Sequence, residues 1–360
     1  MSKYLVAPLN WGLGHASRCV PLVQQFLDEG HEVILGGDGE SLTLLRRHFP
    51  RLRYTYLAPL NLRYSAGKTQ VWAMLKSLPK IIRWAIKDHQ MLQALLREEP
   101  IDCVVSDNRF GLYVNQTSNT THHTSSITHH TCECIYITHQ LHIMLPRGWK
   151  WAEGIASRIH ARIYTRYNKV WIPDYEDFAS SLAGELSHPH LSIFNSQFSI
   201  FNYIGPLSRW ASYGHVRDAN DMRTVYYGVA VLSGLEPQRT MLEKELIARF
   251  TADSQITNSH NPKAFADSQN PRNFLIVQGL MNRPNTRIKR GSVTIVPYMN
   301  DAELASYLLG AQKIIVRSGY STIMDMHALG IDPSKIEFIP TLGQPEQEYL
   351  AFWAKKRTSL

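Results

Sequence analysis

The sequence predicts an α/β protein of two domains, each built on a doubly wound parallel sheet, that face each other across a cleft. Three observations point to this class. The 360 residues are enough for two domains of ordinary size. Short apolar runs alternate with amphipathic helical stretches in both halves, which is the order of a parallel sheet with helices on its faces. Each half also contains a glycine-rich loop between a buried strand and a helix, at residues 12–18 and 317–322.

In the first half, turn residues close the strands, and the helices carry a periodic apolar face. Helix 17–29 ends at Gly30, and helix 41–48 follows the second strand. A long helical stretch covers 70–98, with Pro79 as its expected break. The predicted strands are 4–7, 31–36, 54–57, 101–106, 135–138 and 169–172.

The second half repeats this plan after a boundary near Gly205, which gives an N-terminal domain of residues 1–205 and a C-terminal domain of residues 206–360. Three stretches that break the alternation are interpreted as surface insertions: 115–133, 187–202 and 251–272. The predicted strands of this half are 225–232, 274–278, 293–296, 313–316 and 336–339, and its predicted helices are 238–250, 301–309 and 321–329.

Composition indicates which kinds of partner and which cellular compartment to expect. The formal charge of +8 favours anionic partners, a class that includes nucleotides, anionic lipids and nucleic acids. No nucleic-acid recognition motif accompanies the charge, so we expect no nucleic-acid partner. The four cysteines suggest no disulfide framework, which suits a reducing compartment. Because there is no leader pattern and no apolar run of the ~18 residues that a membrane span needs, we expect a cytoplasmic protein.

His15 stands where the first glycine-rich loop becomes a helix. The positive end of a helix disfavours an imidazolium, so a neutral imidazole fits this position. A neutral base beside several free backbone N–H groups suits the deprotonation of a hydroxyl or a water. The alternative is that His15 only caps the turn, and the pattern Gly-x-Gly-His alone does not separate the two readings.

The second glycine-rich loop has the composition of a phosphate-binding turn. Gly319 lets the backbone approach a phosphate oxygen, and the hydroxyls of Ser318, Ser321 and Thr322 add donors. Asp325 follows one helical turn later, where its carboxylate can accept hydrogen bonds from a ribose diol. The alternative is an ordinary Ser/Thr helix cap with an acid in its first turn.

Polar side chains also gather at two further strand ends. Residues 343–348, which include Gln344, form a predicted loop after the last strand, where open α/β sheets bind ligands. Their amide and carboxylate groups suit sugar hydroxyls, and a solvated turn is the alternative. Arg239 begins a helix after the turn 233–237, where it would pair with a diphosphate or serve as a surface cation.

The stretch 71–89 combines two tryptophans and bulky aliphatic residues with a basic face. This composition fits a segment that lies on an anionic membrane surface, and it also fits a core helix with a basic solvent face. The histidine-rich residues 122–130, with Cys132 and Cys134, lack the spacing of a zinc site, so we expect no metal. The basic residues of the stretch 71–89 are Lys76, Lys80, Arg83 and Lys87.

Three segments together resemble the GT-B glycosyltransferases: Gly12–His15, Arg317–Asp325 and Pro340–Tyr349. The sequence is most similar to the family that contains the GlcNAc transferase of peptidoglycan lipid-intermediate synthesis and the related UDP-glycosyltransferases. The resemblance implies two Rossmann-like domains, with the acceptor on the first and a UDP-sugar, UDP-GlcNAc in particular, on the second. Because the chain ends soon after the last segment, we expect the family's final helices, which return to the first domain, to be mostly absent.

The resemblance also implies roles for individual residues. Ser318 and Gly319 would hold the diphosphate, Asp325 the ribose, Gln347 and Glu348 the donor sugar, while Met299 would lie where the family reads uracil. His15 would lie near the reacting centre. For a transfer reaction we expect His15 or a nearby carboxylate to be the base, and Asp107, which follows strand 101–106, to orient or assist it. The expected donor-binding residues are Gly14, Arg239, Met299, Ser318, Gly319, Ser321, Thr322, Asp325, Gln344, Gln347 and Glu348.

Three functions compete at this stage. The first is an inverting glycosyltransferase that needs no metal or other cofactor, acts on a sugar or a lipid-linked acceptor, and lies at the inner face of the membrane through 71–89. The second is a UDP-sugar hydrolase of the same fold, because Gly14–Arg18 resembles the Gly-His-x-x-Arg loop of such enzymes. The third is a non-catalytic binder of anionic lipid or nucleic acid, which rests on charge alone.

Overall fold

The structure is a computed structural model that describes residues 1–60, 70–114, 132–188, 198–211, 226–234, 236–256 and 273–357. The first half alternates strands and helices as a parallel sheet requires. In chain order its elements are β1 (Lys3–Pro8), α1 (Gly14–Asp28), β2 (Glu32–Gly37), α2 (Gly39–His48), β3 (Arg53–Tyr56), α3 (Gln70–Glu98), β4 (Cys103–Asp107), β5 (Glu133–Ile137), α4 (Glu153–Tyr164), β6 (Lys169–Ile172) and β7 (Phe201–Tyr203).

These seven strands form one parallel sheet in the order β3-β2-β1-β4-β5-β6-β7. The strand order reverses between β1 and β4, where Pro8 pairs with Asp107 in the register. Helices cover both faces, and each face has its own buried apolar cluster. In an open α/β sheet a ligand binds at such a reversal, outside the carboxyl ends of the strands.

The second half forms a six-stranded sheet in the order β10-β11-β9-β8-β12-β13, in which only the β10–β11 pair is antiparallel. Its reversal point lies between β8 and β12. In chain order its elements are β8 (Gly228–Val231), α5 (Gln238–Ile256), β9 (Phe274–Val277), β10 (Ile288–Arg290), β11 (Val293–Val296), α6 (Asp301–Gly310), β12 (Lys313–Val316), α7 (Tyr320–Ala328), β13 (Ile336–Phe338) and α8 (Pro345–Arg357).

The two-sheet architecture is confirmed, and several details of the prediction are wrong. The stretch 187–202 is not wholly an insertion, because β7 begins at Phe201 and pairs with β6. Helix α5 continues to Ile256, past the predicted end at 250. Helix α3 runs through Pro79 without a break; the proline is exposed, so water can serve the carbonyl that loses its helical partner. Residues 115–131, 189–197 and 257–272 lie outside the described residues.

The expectation that the returning helices are mostly absent also needs correction, because α8 crosses back to the first sheet. Trp353 Nε1 donates a hydrogen bond to the carbonyl oxygen of Ser181 at 3.0 Å. The backbone N–H of Glu185 donates to Tyr349 Oη at 2.9 Å. The domain boundary near residue 205 stays a prediction, since β7 ends at Tyr203 and β8 begins only at Gly228.

The carboxyl ends of the two sheets face each other, and the start of α7 packs against the first half. Tyr320 Oη donates a hydrogen bond to the carbonyl oxygen of Pro173 at 2.7 Å, and the ring of Tyr320 is buried. All four cysteines are free thiols. Among the helices of the described segments, none is long and apolar enough to cross a membrane.

Candidate active site

His15 and Asp107, predicted as base and orienting acid, lie together at the reversal point of the first sheet. The loop after β1 delivers His15 to the first turn of α1, and Asp107 is the last residue of β4. His15 Nδ1 lies 2.8 Å from Asp107 Oδ1. The Asp107 side chain is fully buried, whereas the His15 side chain is 16% exposed. The pair therefore has a shielded acid and an imidazole that reaches the cleft.

Arg18, one helical turn after His15 in α1, holds the Asp107 carboxylate. Its Nε donates to Asp107 Oδ2 at 2.6 Å, and its Nη2 donates to Asp107 Oδ1. Burial opposes ionisation of Asp107, but the charge of Arg18 outweighs it and holds the pKa of that carboxyl well below its usual range. Arg18 is also buried, so the two charges neutralise each other inside the fold.

The tautomer of His15 follows from this charge. Nδ1 faces a carboxylate oxygen, and a lone pair there would be repelled, so Nδ1 carries the proton and donates it to Asp107. Arg18 Nη2 also lies 3.0 Å from this nitrogen, and it donates one of its two hydrogens to Asp107 Oδ1. Because the guanidinium charge is already balanced by Asp107, the carboxylate decides the tautomer of His15. Nε2 is then left with its lone pair, which is the form that accepts a proton from a substrate hydroxyl.

The second glycine-rich loop lies opposite this pair. Gly319 is the N-cap of α7, and it offers no side-chain acceptor to the first backbone N–H groups of that helix. Gly14 approaches the same turn so closely that an alanine Cβ there would lie 2.8 Å from Ser321 Oγ. Ser321 and Thr322 are partly exposed in that first turn. The structure therefore brings the histidine-bearing loop and an anion-ready helix start together.

Ser318 and Gln347 support this turn from behind. Ser318 is fully buried, and its Oγ donates to the carbonyl oxygen of Gln347 at 2.7 Å. The backbone N–H of Thr341 donates to Gln347 Oε1 at 2.8 Å. These two predicted donor-binding side chains thus have protein partners in this structure. The interpretation of 343–348 as a loop is wrong beyond Gln344, because α8 begins at Pro345.

The remaining residues of that segment have different surroundings. Glu346, Gln347 and Glu348 form the first helical turn of α8, and Glu348 is exposed. The backbone N–H of Glu348 donates to the carbonyl oxygen of Gln344 at 3.1 Å. Gln344 and Glu348 therefore lie where a ligand can reach them, while their role in holding a sugar stays a prediction.

Asp325, predicted to hold a ribose, is buried on the far side of α7. Ser208 Oγ donates to Asp325 Oδ1 at 2.6 Å, and Arg209 Nε lies 4.0 Å from Asp325 Oδ2. Burial raises the pKa of Asp325 to about 6, and Arg209 opposes that rise. Met299, predicted near uracil, is buried in an apolar cluster of the second sheet. The structure does not bring these two side chains to the His15 pair.

Arg239, predicted to pair with a diphosphate, lies in an acidic pocket. Its Nη2 donates to Glu236 Oε1, and its Nη1 lies 3.8 Å from Glu243 Oε2. Arg239 is buried, so its charge is already balanced by neighbouring carboxylates. An added diphosphate would have to compete with those acids, and the predicted role remains a prediction.

Sequence reasoning missed two side chains that connect to the His15 pair. His139 follows β5, the strand beside β4, and its Nδ1 lies 3.3 Å from Arg18 Nη1. Glu346 of α8 lies 2.9 Å from His139 Nε2. The place of His139 after a strand end was a usable signal, because carboxyl ends of neighbouring parallel strands meet at one edge. Nothing in the sequence pairs it with a residue 207 positions away.

A second buried ion cluster braces the strand ends of the first sheet. Arg109 Nε and Nη2 donate to the two carboxylate oxygens of Asp88, each at 2.9 Å, and Arg109 Nη1 donates to Asp38 Oδ1 at 3.0 Å. Arg109 Nη2 also donates to the carbonyl oxygen of Ala58 at 2.7 Å. The cluster ties α3 to the ends of β2 and β4, which fixes the loops that carry the site.

The basic stretch of α3 lies at the surface beside α4. The ring of Phe110 contacts Trp84 of α3 and His160 of α4, with centroids 5.7 and 6.2 Å away. Helix α3 exposes three large apolar side chains at four-residue spacing, and so does α4 together with the helical turn Arg147–Ala152 that precedes it, with basic residues between them. The exposed apolar residues are Leu78, Ile82, Ile86, Trp151, Ile155 and Ile159, and the exposed basic residues are Lys76, Lys80, Arg83, Lys87, Arg147, Lys150, Arg158 and Arg162.

The metal interpretation of the histidine-rich stretch cannot be followed in the structure, because residues 122–130 lie outside the described ranges. Within those ranges, no group of three or more His, Cys, Asp or Glu side chains is arranged to hold a metal ion.

No protein-family model and no curated protein matches the sequence. Solved structures do match along the whole chain. The spinosyn forosaminyltransferase SpnP is 11% identical with a TM-score of 0.51, over 99% of this chain and 95% of that chain. The calicheamicin glycosyltransferase CalG4 is 12% identical with a TM-score of 0.52, over 99% and 83%. LpCGTa, solved in complex with UDP, is 11% identical with a TM-score of 0.53, over 99% and 83%.

At this level of identity the likeness shows the fold. The chain therefore has the GT-B fold, two facing Rossmann-like sheets, as the motif resemblance implied. The narrower resemblance to the peptidoglycan GlcNAc transferase is not confirmed by these structures.

Proposed function

We propose that this protein is a glycosyltransferase that moves a sugar from a nucleotide-sugar donor to an acceptor hydroxyl, with inversion at the anomeric carbon. The observation that carries the proposal is the His15–Asp107 pair beside the uncapped start of α7. A general base next to an anion-binding helix start is what displacement of a nucleotide diphosphate by a hydroxyl requires. The glycosyltransferases that share the fold support the same reaction class.

In the proposed reaction, His15 Nε2 takes the proton of the acceptor hydroxyl while its oxygen attacks the anomeric carbon. The bond to the diphosphate breaks on the opposite face, and the leaving charge is stabilised by the N–H groups and the hydroxyls of Ser321 and Thr322. Asp107 stabilises the imidazolium that forms on His15. Because these groups supply the positive potential, we propose that the reaction needs no metal.

For the donor we propose a UDP-sugar, with UDP-GlcNAc as the first to test. The motifs at 317–325 and 340–349 support a UDP-sugar, and the UDP complex of the fold neighbour LpCGTa is consistent with it. In this proposal the donor diphosphate lies at Gly319 and the first turn of α7, with Gln344 and Glu348 within reach of the sugar. Asp325 would hold the ribose only after releasing Ser208, to which it is bonded.

The proposal is tested with purified protein, a panel of nucleotides and a panel of acceptors. We expect UDP to raise the melting temperature and ADP or GDP to leave it unchanged. The variant His15→Ala should keep the UDP response and lose about 10²–10⁴-fold in turnover, which is the usual contribution of a general base. The matched control is His31→Ala, since His31 precedes β2 at the edge of the first sheet opposite the strand ends that carry the pair. No response to any nucleotide would contradict the proposal.

The same assay separates transfer from hydrolysis. In a hydrolase of this fold, water would take the place of the acceptor, so UDP release would proceed at full rate without an acceptor. We favour transfer, because the fold neighbours named above are glycosyltransferases. We therefore expect UDP release to depend on an added sugar or lipid-linked acceptor. Release that is independent of every acceptor would favour the hydrolase.

We propose further that the exposed face of α3 and α4 lies on an anionic membrane surface and presents the cleft to a lipid-linked acceptor. The exposed apolar residues can enter the interface while the surrounding lysines and arginines meet anionic headgroups. Trp151 is 73% exposed, and tryptophan suits the headgroup boundary. Each basic residue near such a surface contributes about 1 kcal/mol of attraction, so the set of eight is enough for peripheral binding.

Co-sedimentation with vesicles tests this surface. We expect binding to vesicles that contain anionic lipid, weak binding to purely zwitterionic vesicles, and loss of binding at high salt. The double variant Ile82→Glu/Ile155→Glu should abolish binding. The control Met241→Glu/Ile288→Glu places the same two charges at similarly exposed sites in the second half, and it should bind as the wild type does. Equal binding by both variants would refute the membrane face.

A further inference from the structure

We propose that Glu346 is a positioning residue for the His15–Asp107 pair, delivered from the second half of the chain through His139 and Arg18. This inference rests on the proposed function and names how the donor side of the cleft acts on its base. The feature that carries it is an unbroken series of polar contacts: His15 to Asp107, Asp107 to Arg18, Arg18 to His139, and His139 to Glu346. Its three middle members are buried, and its two ends are partly exposed.

This series of contacts fixes the tautomer of His139. Arg18 has only donors, so its Nη1, 3.3 Å from His139 Nδ1, requires a lone pair on that nitrogen. The proton of the neutral ring must then be on Nε2, which lies 2.9 Å from Glu346 Oε1 and donates to it. Burial lowers the pKa of His139, which keeps the ring neutral. Each nitrogen therefore has the partner that its tautomer demands.

Packing holds the same ring in place. The His139 imidazole stacks on Tyr320, with ring centroids 4.3 Å apart and planes 15° apart. Tyr320 is the first residue of α7, the helix whose start is the proposed diphosphate site. A ring fixed in its plane by stacking can change only its protonation pattern or flip, so the acceptor at Nε2 decides which tautomer is present.

Glu346 reaches His139 because α8 carries it across the cleft. The next residue, Gln347, accepts the hydrogen bond of Ser318 through its carbonyl oxygen, so the same turn also supports the diphosphate loop. Burial opposes the ionisation of Glu346, but the hydrogen bond from His139 outweighs it and lowers the pKa of that carboxyl. Glu346 therefore supplies a charged acceptor to His139 only when the two halves are in contact. The ordered position of the base His15 depends on the same contact.

Without Glu346 the Nε2–H of His139 loses its acceptor inside the fold. The ring can then move its proton to Nδ1, which turns a donor toward the guanidinium of Arg18. Arg18 must shift away, and Asp107 and His15 follow because Arg18 holds that carboxylate. The loss of one partly buried hydrogen bond to a charged group lowers turnover by about tenfold. Because the proposed donor contacts are made by the start of α7, Gln344 and Glu348, the KM for the donor stays close to that of the wild type.

The test compares Glu346→Ala, Glu346→Gln and the matched surface control Glu98→Ala in the full chain. The first readout is kcat and KM with UDP-GlcNAc and the acceptor found in the transfer assay. We expect kcat to fall about tenfold in Glu346→Ala. Glu346→Gln should recover most of the lost kcat, because its amide oxygen accepts a hydrogen bond from the same N–H. Glu98 is exposed at the end of α3, so its removal should change nothing.

The second readout is the ¹⁵N spectrum of the imidazole nitrogens, with the signals of His139 identified by their absence in His139→Gln. The wild type and Glu346→Gln should show a protonated Nε2 at neutral pH, and Glu346→Ala should lose that pattern. A merely structural role would lower the melting temperature and leave the tautomer of the folded protein unchanged. An unchanged tautomer in Glu346→Ala, or an unchanged kcat, overturns the proposal. The spectrum needs no substrate, so it decides the link even if the wild type transfers no sugar, which would count against the proposed function alone.

Discussion

The contact between Gly14 and Ser321 gives a quantitative test of how the two halves meet. An alanine Cβ on Gly14 would lie 2.8 Å from Ser321 Oγ and 3.0 Å from Ser321 Cβ. The hydroxyl can rotate away, but the Cβ atom is fixed by the backbone of α7. Overpacking of this kind costs about 1–3 kcal/mol. Because the Ser321 hydroxyl can rotate away, we expect Gly14→Ala to cost about 1 kcal/mol, the lower end of that range. The cost falls on the contact between the two halves, because Gly14 belongs to the first half and Ser321 to the second.

We therefore expect Gly14→Ala to lower kcat/KM by about fivefold to tenfold, since 1.36 kcal/mol corresponds to a factor of ten. The double variant Gly14→Ala/Ser321→Gly removes both clashing atoms and should recover most of that loss relative to Ser321→Gly alone. The coupling from this double-mutant cycle should be about 1 kcal/mol. Gly154→Ala is the matched control, because nothing lies within 4 Å of its added Cβ. Additive effects of the two substitutions would refute the reasoning.

Three further outcomes follow from the same geometry. Arg109→Met should destabilise the fold by about 3–5 kcal/mol in urea unfolding, because it strands the buried carboxylate of Asp88, and Arg109→Met/Asp88→Leu should cost less. The pKa of Asp325 is raised to about 6, above its unfolded value of 3.8, so ionisation removes stability as pH rises from 4 to 7. Asp325→Asn should thus gain about 2 kcal/mol over the wild type at pH 7 relative to pH 4. EDTA should leave sugar transfer unchanged, and a loss restored by a divalent cation would refute the metal-free mechanism.

Much of the fold could be predicted, because buried parallel strands leave a plain record in the sequence. Strands 169–172, 293–296 and 313–316 have their predicted bounds, since each is a short apolar run closed by a turn or polar residue. Helix α4 was missed although Ile155, Ile159 and Ile163 recur every four residues, a helical spacing that the sequence offered. Strand β10 was missed because all three of its residues are exposed.

The candidate site was predictable only where one loop carries the signal. His15 and Asp107 each follow a predicted strand, and adjacency of those strands in the sheet brings them to 2.8 Å. Asp325 was predicted to bind the ribose because of its position in the sequence. Its hydrogen-bond partner Ser208 lies in the connection between the two sheets, and no local sequence pattern reveals that contact. The link between His139 and Glu346 depends on α8 crossing the cleft, and a tertiary contact of that kind has no local sequence signature.

The distance between the base and the helix start is a property of the contact between the halves, because the two sheets share no strand. Gly14 permits the approach, because a Cβ there would lie 2.8 Å from Ser321 Oγ. A Cβ on Gly12 would meet the backbone nitrogen of Gly234 at 3.7 Å, an ordinary contact distance, so only a longer side chain there would interfere. Larger side chains there would hold His15 away from α7 without disturbing either sheet. Substitutions at the site should therefore couple across the cleft, as between Gly14 and Ser321, more strongly than they couple within one half.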